Sequence, residues 1–315
     1  MKTSRTVYIM GGYLPAGGAR MTYEVGRIAQ QLYNCKCIVV HDQKWHSERR
    51  IFQYNEVYET ISFANFMLEH SGNDLFICNP SFSDGSLGFE IRAKKLMYIQ
   101  GFNTFSVLDC RFDKYVSVSG FVHTFIQTTY DISTEVIPPF IEVSNDQDLP
   151  WQTRSSKSTL VYLKDNGNLQ NRLLMRFCDE CSNLFSLAEP SLTHDFEKII
   201  AGSLSQSDLL KILGSYRYFV SLSTCEGFGL VPLEAMALGS TVVAFDGFGG
   251  RDYFERGKNS LVRAFPDIEG LARDFVSIIT DDNCAEKLAL RGKDTASRYS
   301  YARFKANWES VLAEL

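Results

Sequence analysis

Short apolar runs alternating with helix-period segments along all 315 residues constrain this chain more than any other feature. Runs of this length read as strands buried on both faces, and such strands need helices packed over both sides of a parallel sheet. In the first half they are VYIM (7–10), CIVV (37–40), LFIC (75–78), LMYI (96–99), VSVS (116–119) and VIPPF (136–140). In the second half they are TLVYL (159–163), LFSL (184–187), KIIAG (198–202), YFVSLS (218–223), TVVAF (241–245) and SLV (260–262). A helix is expected from about Met21 to Tyr33, with Val25, Ile28, Ala29 and Leu32 on one face. Tyr301, Phe304, Trp308 and Leu312 give the C-terminal stretch the same spacing. The polar stretch 143–158, VSNDQDLPWQTRSSKS, breaks the rhythm and reads as a linker. The expectation is therefore an α/β protein of two domains, 1–142 and 143–315, with a C-terminal helix free to pack back on the first. A chain of this length is long enough for two cores.

Composition narrows the choice of function. A net charge of −5, a pI near 5.6 and the lack of any long Lys/Arg run speak against a general nucleic-acid binder. Arg49-Arg50 and Lys94-Lys95 read as solvated surface. The eight cysteines are scattered, and the opening MKTSRTVYIMGG has an apolar run too short for a signal peptide or a membrane span. A reducing, cytoplasmic setting is expected. Cys178 and Cys181 form a C-x-x-C inside a helical pattern with no second pair to complete a zinc site, so packing explains them and no metal is expected.

The chemistry concentrates at 224–240, TCEGFGLVPLEAMALGS. Glu226 opens a loop after the strand YFVSLS, Gly227 and Gly229 loosen it, and Pro232 suits the first position of a helix. Glu234 is then expected in that helix's first turn, and Gly239 at its end in a left-handed conformation. A helix start offers unpaired N–H groups to a phosphate, although any strand–loop–helix turn uses glycines and a cap. Gly17 and Gly18 precede the first helix in a similar setting; their spacing in GGYLPAGGAR does not fit the dinucleotide fingerprint.

The pair Glu226 and Glu234, an E-x7-E set in EGFGLVPLEAMALGSTVVAFDGFGG, closely resembles the signature of retaining GT-B glycosyltransferases of the GT4, or glycosyltransferase group 1, family. The likeness is specific over about 196–262 and general over the first half, where Gly17-Gly18 and VIPPFIE (136–142) fall in the family's order. It implies two Rossmann-like domains whose parallel sheets face each other across a cleft, the N-terminal domain on the acceptor side and the C-terminal one holding a nucleotide-diphosphate sugar. It implies transfer of that sugar to a hydroxyl of a glycan, glycoconjugate or lipid-linked acceptor, without a metal and without a bound cofactor. Glu226 would lie against the donor sugar and Glu234 against the ribose hydroxyls, with Phe228, Gly229 and Leu230 holding sugar and diphosphate oxygens. Where the family commonly has an arginine and a lysine after the first C-terminal strand, this chain has Lys164, then Asp165, with Arg172 the next cation. Lys164 is the expected catalytic phosphate contact and Arg172 the candidate to complete the pair. Ser203 and Leu204 are candidates for the nucleobase, Ser205 reads as a helix N-cap, and Gln100 and Asn103 stand on the acceptor side. Peripheral membrane contact is open, since relatives handle lipid-linked acceptors, but no strongly basic amphipathic stretch is visible. A nucleotide-sugar epimerase or hydrolase, or a non-catalytic nucleotide-sugar-binding subunit, would use the same pocket.

Overall fold

A computed structural model describes residues 5–12, 17–41, 58–83, 85–144, 147–188 and 193–315. Part of the loop GGYLPAGGAR (13–16), Arg49-Arg50 and two linker residues (145–146) lie outside the described residues. The chain forms two units, one of Met1–Pro139 with Ala302–Leu315 and one of Phe140–Tyr301.

Unit 1 carries strands β1 (Thr6–Met10), β2 (Lys36–His41), β3 (Glu59–Ser62), β4 (Leu75–Cys78), β5 (Lys94–Ile99), β6 (Lys114–Ser117) and β7 (Glu135–Val136). They form a parallel sheet in the order β3-β2-β1-β4-β5-β6-β7. Its helices are α1 (Gly17–Tyr33), α2 (Phe63–Glu69), α3 (Leu87–Glu90) and α4 (Gly120–Tyr130). β1, β4 and β5 are buried along nearly their whole length, as their unbroken apolar runs require. The sequence ETIS gave no apolar run to mark β3, because an edge strand needs to cover only one neighbour. VIPPF contributes only its first residue to β7, because Pro138 and Pro139 have no N–H to continue a ladder.

Unit 2 carries β8 (Ser155–Leu163), β9 (Asp195–Ile200), β10 (Tyr216–Ser221), β11 (Thr241–Phe245) and β12 (Leu261–Arg263), also parallel, in the order β12-β11-β10-β8-β9. Its helices are α5 (Asn168–Ala188), α6 (Gln206–Gly214), α7 (Leu230–Ala237), α8 (Ile268–Ile279) and α9 (Asp282–Ala296). LFSL is not a strand. It is the last turn of α5, where Leu173, Phe177, Cys181 and Phe185 recur every four residues and enter the core, while Leu187 is left 84% exposed. Three apolar residues around one serine concealed a helical stripe. The linker reading also needs revision in its described part. β8 starts at Ser155, whose N–H donates to the Ser215 carbonyl, and the buried Arg154 donates to the Leu149 carbonyl and to Asp148.

The last helix, α10 (Tyr301–Ala313), returns the chain to unit 1. Its Trp308 is fully buried and meets the Tyr98 ring edge-on at 4.9 Å. Phe304 and Leu312 are buried beside it, so the spacing read from the sequence marks the face that enters the core.

Candidate active site

The strand order of unit 2 fixes where a ligand can sit. After β8 the chain moves outward to β9, and after β10 it moves the other way to β11 and β12, so β8 and β10 are neighbours whose connections diverge. In open α/β sheets the crevice beyond the carboxyl ends of such a strand pair is the usual binding place. Lys164 follows the last residue of β8, and Glu226 lies in the loop after β10.

These two residues meet. Lys164 Nζ donates to Glu226 Oε2 at 2.6 Å, and Ser223 Oγ donates to Glu226 Oε1 at 2.8 Å, so both carboxylate oxygens are held. The Glu226 backbone is pinned as well: its N–H donates to the Gly247 carbonyl at 2.8 Å and its carbonyl accepts from Gly249 at 3.2 Å. Gln170, which is buried on the first turn of α5, ties the two strand ends together. It accepts from the Lys164 N–H at 3.1 Å and donates to the Leu222 carbonyl at 3.2 Å. Sequence reading missed Gln170 and Ser223, since a glutamine inside a helix and a serine after a strand carry no motif.

The glycine loop is built on a left-handed turn. Gly229 is the N-cap of α7 at φ 89°, where a Cβ would sit 2.9 Å from the Tyr253 hydroxyl. That hydroxyl donates to the Gly229 carbonyl at 2.7 Å from a fully buried ring, and burial, reinforced by Glu226, pushes the phenol well above its ordinary range. Burial and the charges of Glu226 and Glu234 do the same to Tyr162. Phe228 is buried against Tyr253 with ring centres 5.3 Å apart, and Leu230 opens the helix. Helix α7 starts two residues earlier than expected. Pro232 is its third residue, still among those whose N–H has no intrahelical acceptor, and Glu234 falls in the second turn rather than the first. Gly239 follows the helix at φ 76°, as the sequence suggested.

Glu234 is 5% exposed, and its Oε1 accepts from Gln206 Nε2 at 2.7 Å. Gln206 is the first residue of α6, and Ser205 separates it from Ser203 and Leu204. Both of those are exposed, and Ser203 Oγ donates to the Ile200 carbonyl. Ser205 caps α6, accepting from the Asp208 N–H. Arg172 is exposed on α5 and pairs with no carboxylate among the described residues, so the structure does not join it to Lys164 and Glu226.

The remaining expected site residues lie in unit 1. Gly17 and Gly18 start α1, and a Cβ on Gly18 would come within 2.8 Å of Gln100 Oε1. Gln100, just past β5, donates to the Gly18 carbonyl at 2.7 Å and accepts from Asn79 Nδ2 at 2.7 Å. Its amide therefore braces the start of α1, and Gly18 is needed there for close packing whatever else it does. Asn103 is exposed in the loop after β5. His123, for which the sequence names no partner, is held through Nδ1 by Thr134 at 2.9 Å. No helix among the described residues is long and apolar enough to cross a membrane.

Residues 163–295, which contain Lys164, Gln206, Glu226 and Glu234, match the family model described as glycosyl transferases group 1. The poly(glycerol-phosphate) alpha-glucosyltransferase of Bacillus subtilis is 31% identical over 97 residues, 30% of this chain and 14% of that protein. The lipopolysaccharide core biosynthesis glycosyltransferase LpsE of Rhizobium meliloti is 34% identical over 90 residues, 29% of this chain and 26% of that protein. The chain thus spans only a minor part of the curated relatives it matches. Among solved structures, Anabaena Alr3699/HepE in complex with UDP and glucose superposes with a TM-score of 0.72 at 14% identity, over 99% of this chain and 100% of that one. The pneumococcal O-GlcNAc transferase GtfA in complex with UDP and GlcNAc gives 0.69 at 11% identity, over 99% of both chains. The chain has the GT-B fold, and its switch-point residues fall inside the stretch that matches group 1 glycosyl transferases.

Proposed function

We propose that the protein is a retaining, metal-independent glycosyltransferase that moves a sugar from a nucleotide-diphosphate donor to an acceptor hydroxyl in glycan or glycoconjugate synthesis. The observation that carries this reading is the contact of Lys164 with Glu226 across the β8/β10 switch point, with Glu234 on the helix that follows. A cation at this place meets the leaving diphosphate, and a carboxylate beside it meets the sugar. Glu234, one turn into α7, accepts from the ribose hydroxyls, since an ionised carboxylate binds a diol through two strong hydrogen bonds. The backbone of Phe228, Gly229 and Leu230 donates to sugar and diphosphate oxygens, and the Ser203–Leu204 backbone lies beside the base. Arg172 supplies a second, more distant cation. The acceptor oxygen attacks the anomeric carbon on the face from which the diphosphate departs. Its proton passes to a donor phosphate oxygen, so no protein base is needed. Catalysis is mostly positioning and stabilisation of the leaving charge.

The experiment is a screen of UDP-, GDP-, ADP- and dTDP-sugars for binding and for transfer to glycan acceptors, with UDP-sugars first because UDP accompanies the structural relatives. Expected are transfer that survives a chelator and a product whose anomeric configuration matches the donor. Glu234→Ala should weaken donor binding about 10- to 100-fold, the equivalent of one or two charge-assisted hydrogen bonds. Glu226→Ala should mainly slow transfer. Lys164→Ala should lower turnover by about two orders of magnitude. Donor hydrolysis or isomerisation unaffected by any acceptor would replace transfer with the corresponding activity, and donor affinity indifferent to Glu234 would refute the ribose assignment.

A further inference from the structure

We propose that Gln206 is the positioning residue that orients Glu234 for the ribose and makes the site prefer ribonucleotides, an inference that rests on the donor reading above. Glu234 has three rotatable side-chain bonds, and its carboxylate is placed for a diol only if one rotamer is held before the ligand arrives. Gln206 Nε2 holds it, through a hydrogen bond of 2.7 Å to Oε1. A neutral amide suits the task, because it adds a hydrogen bond to the carboxylate without itself bringing a positive charge to compete with the ribose hydroxyls. An arginine or lysine here would tie the carboxylate into an ion pair that the ligand would have to break.

The holder is itself held. Gln206 begins α6, where Ser205 Oγ accepts from the Asp208 N–H at 3.2 Å and donates to Asp208 Oδ2 at 2.6 Å. The two ends of the contact differ in exposure: Glu234 is buried and Gln206 is exposed. The amide therefore stands on the solvent side of the carboxylate, where a ligand must approach. The side-chain oxygen Oε1 of Gln206 makes no hydrogen bond among the described residues, where the amide bonds only through Nε2, and it is a second acceptor for the same diol. Glu234 and Gln206 together offer the two acceptors that a 2′,3′-diol can use and a 2′-deoxyribose cannot.

The test is calorimetric binding of UDP, GDP and ADP, and of their 2′-deoxy counterparts, to the unaltered protein, Gln206→Ala and Gln206→Glu. The unaltered protein should favour the ribonucleotide of its preferred base by about tenfold, the worth of one hydrogen bond. Gln206→Ala should cut ribonucleotide affinity by about tenfold while changing deoxynucleotide affinity less than about twofold, and should raise the donor KM with kcat retained. Gln206→Glu sets a second carboxylate against Glu234; ribonucleotide affinity should drop at neutral pH and recover on acidification, as the two groups come to share a proton. Equal losses for both sugars in Gln206→Ala, or unchanged ribonucleotide affinity, would overturn the proposal and leave the donor reading standing. Failure of the unaltered protein to bind any of these nucleotides would overturn both.

Discussion

Replacing Gly229 by alanine strikes the turn on which the site is built, and its cost can be worked from the coordinates. At φ 89° an L-residue pays about 1–2 kcal/mol for the left-handed conformation. The new Cβ would lie 2.9 Å from the Tyr253 hydroxyl, too close for that oxygen to stay. Tyr253 is fully buried, so moving the hydroxyl off the Gly229 carbonyl leaves an unsatisfied polar group, worth about 1–3 kcal/mol. The expected destabilisation of the α7 region is about 2–5 kcal/mol. Tyr253→Phe alone removes one hydrogen bond and should cost about 1 kcal/mol. The double variant carries no oxygen to clash or to strand, so its cost should be smaller than the sum of the two single costs by about 1 kcal/mol or more. Hydrogen exchange of peptides covering 228–237 reads this directly: Gly229→Ala should speed exchange roughly 30- to 4,000-fold. A loss below about 1 kcal/mol, or strict additivity in the double variant, would refute the argument that the turn and the tyrosine are coupled.

Gly249→Ala would place a Cβ 2.2 Å from the Gly227 carbonyl, a backbone contact that cannot be relieved by a side-chain rotation. The loop carrying Glu226 must shift, and donor affinity measured by calorimetry should fall more than about tenfold. Trp308→Ala should destabilise unit 1 by about 3–5 kcal/mol in urea denaturation, as expected for an aromatic side chain with no exposed surface. Burial lowers the His194 pKa to about 4, with Thr159 Oγ1 at 2.7 Å from its Nε2. The unfolded chain therefore binds a proton there that the folded one refuses, so stability should fall by up to about 3 kcal/mol as pH drops from 6.5 to 4. His194→Gln should flatten that slope in urea denaturation across this range; an unchanged slope would assign the pH dependence elsewhere.

What the sequence revealed about the fold followed from burial on both faces. β1, β4, β5, β10 and β11 announce themselves because a central parallel strand has no polar side to show. β3 stayed hidden because an edge needs no apolar run, and LFSL misled because a short, mostly apolar run does not distinguish a strand from the inner face of a long helix. In the site, the motif and the residue following each central strand were enough to pick Lys164, Glu226 and Glu234. They could not show that Lys164 and Glu226 touch, since 62 residues separate them and only the strand order brings them together. Gln170 and Gln206 were invisible for a different reason. Gln170 acts through two hydrogen bonds and Gln206 through one, their partners are set by helix placement, and no spacing rule encodes that.

The return of α10 to unit 1 has a consequence for biosynthesis. A two-domain chain ordinarily folds its first domain while the second is still being made. Here the helix that supplies Trp308 to unit 1 is translated only after all of 140–301. At about 5–20 residues per second, that is a delay on the order of ten to thirty seconds. By the end of that interval unit 2 has every strand and helix it needs, while unit 1 has waited with Tyr98 uncovered. The domain made first is thus the one completed last, and the nascent protein must keep an open aromatic surface from aggregating until α10 emerges.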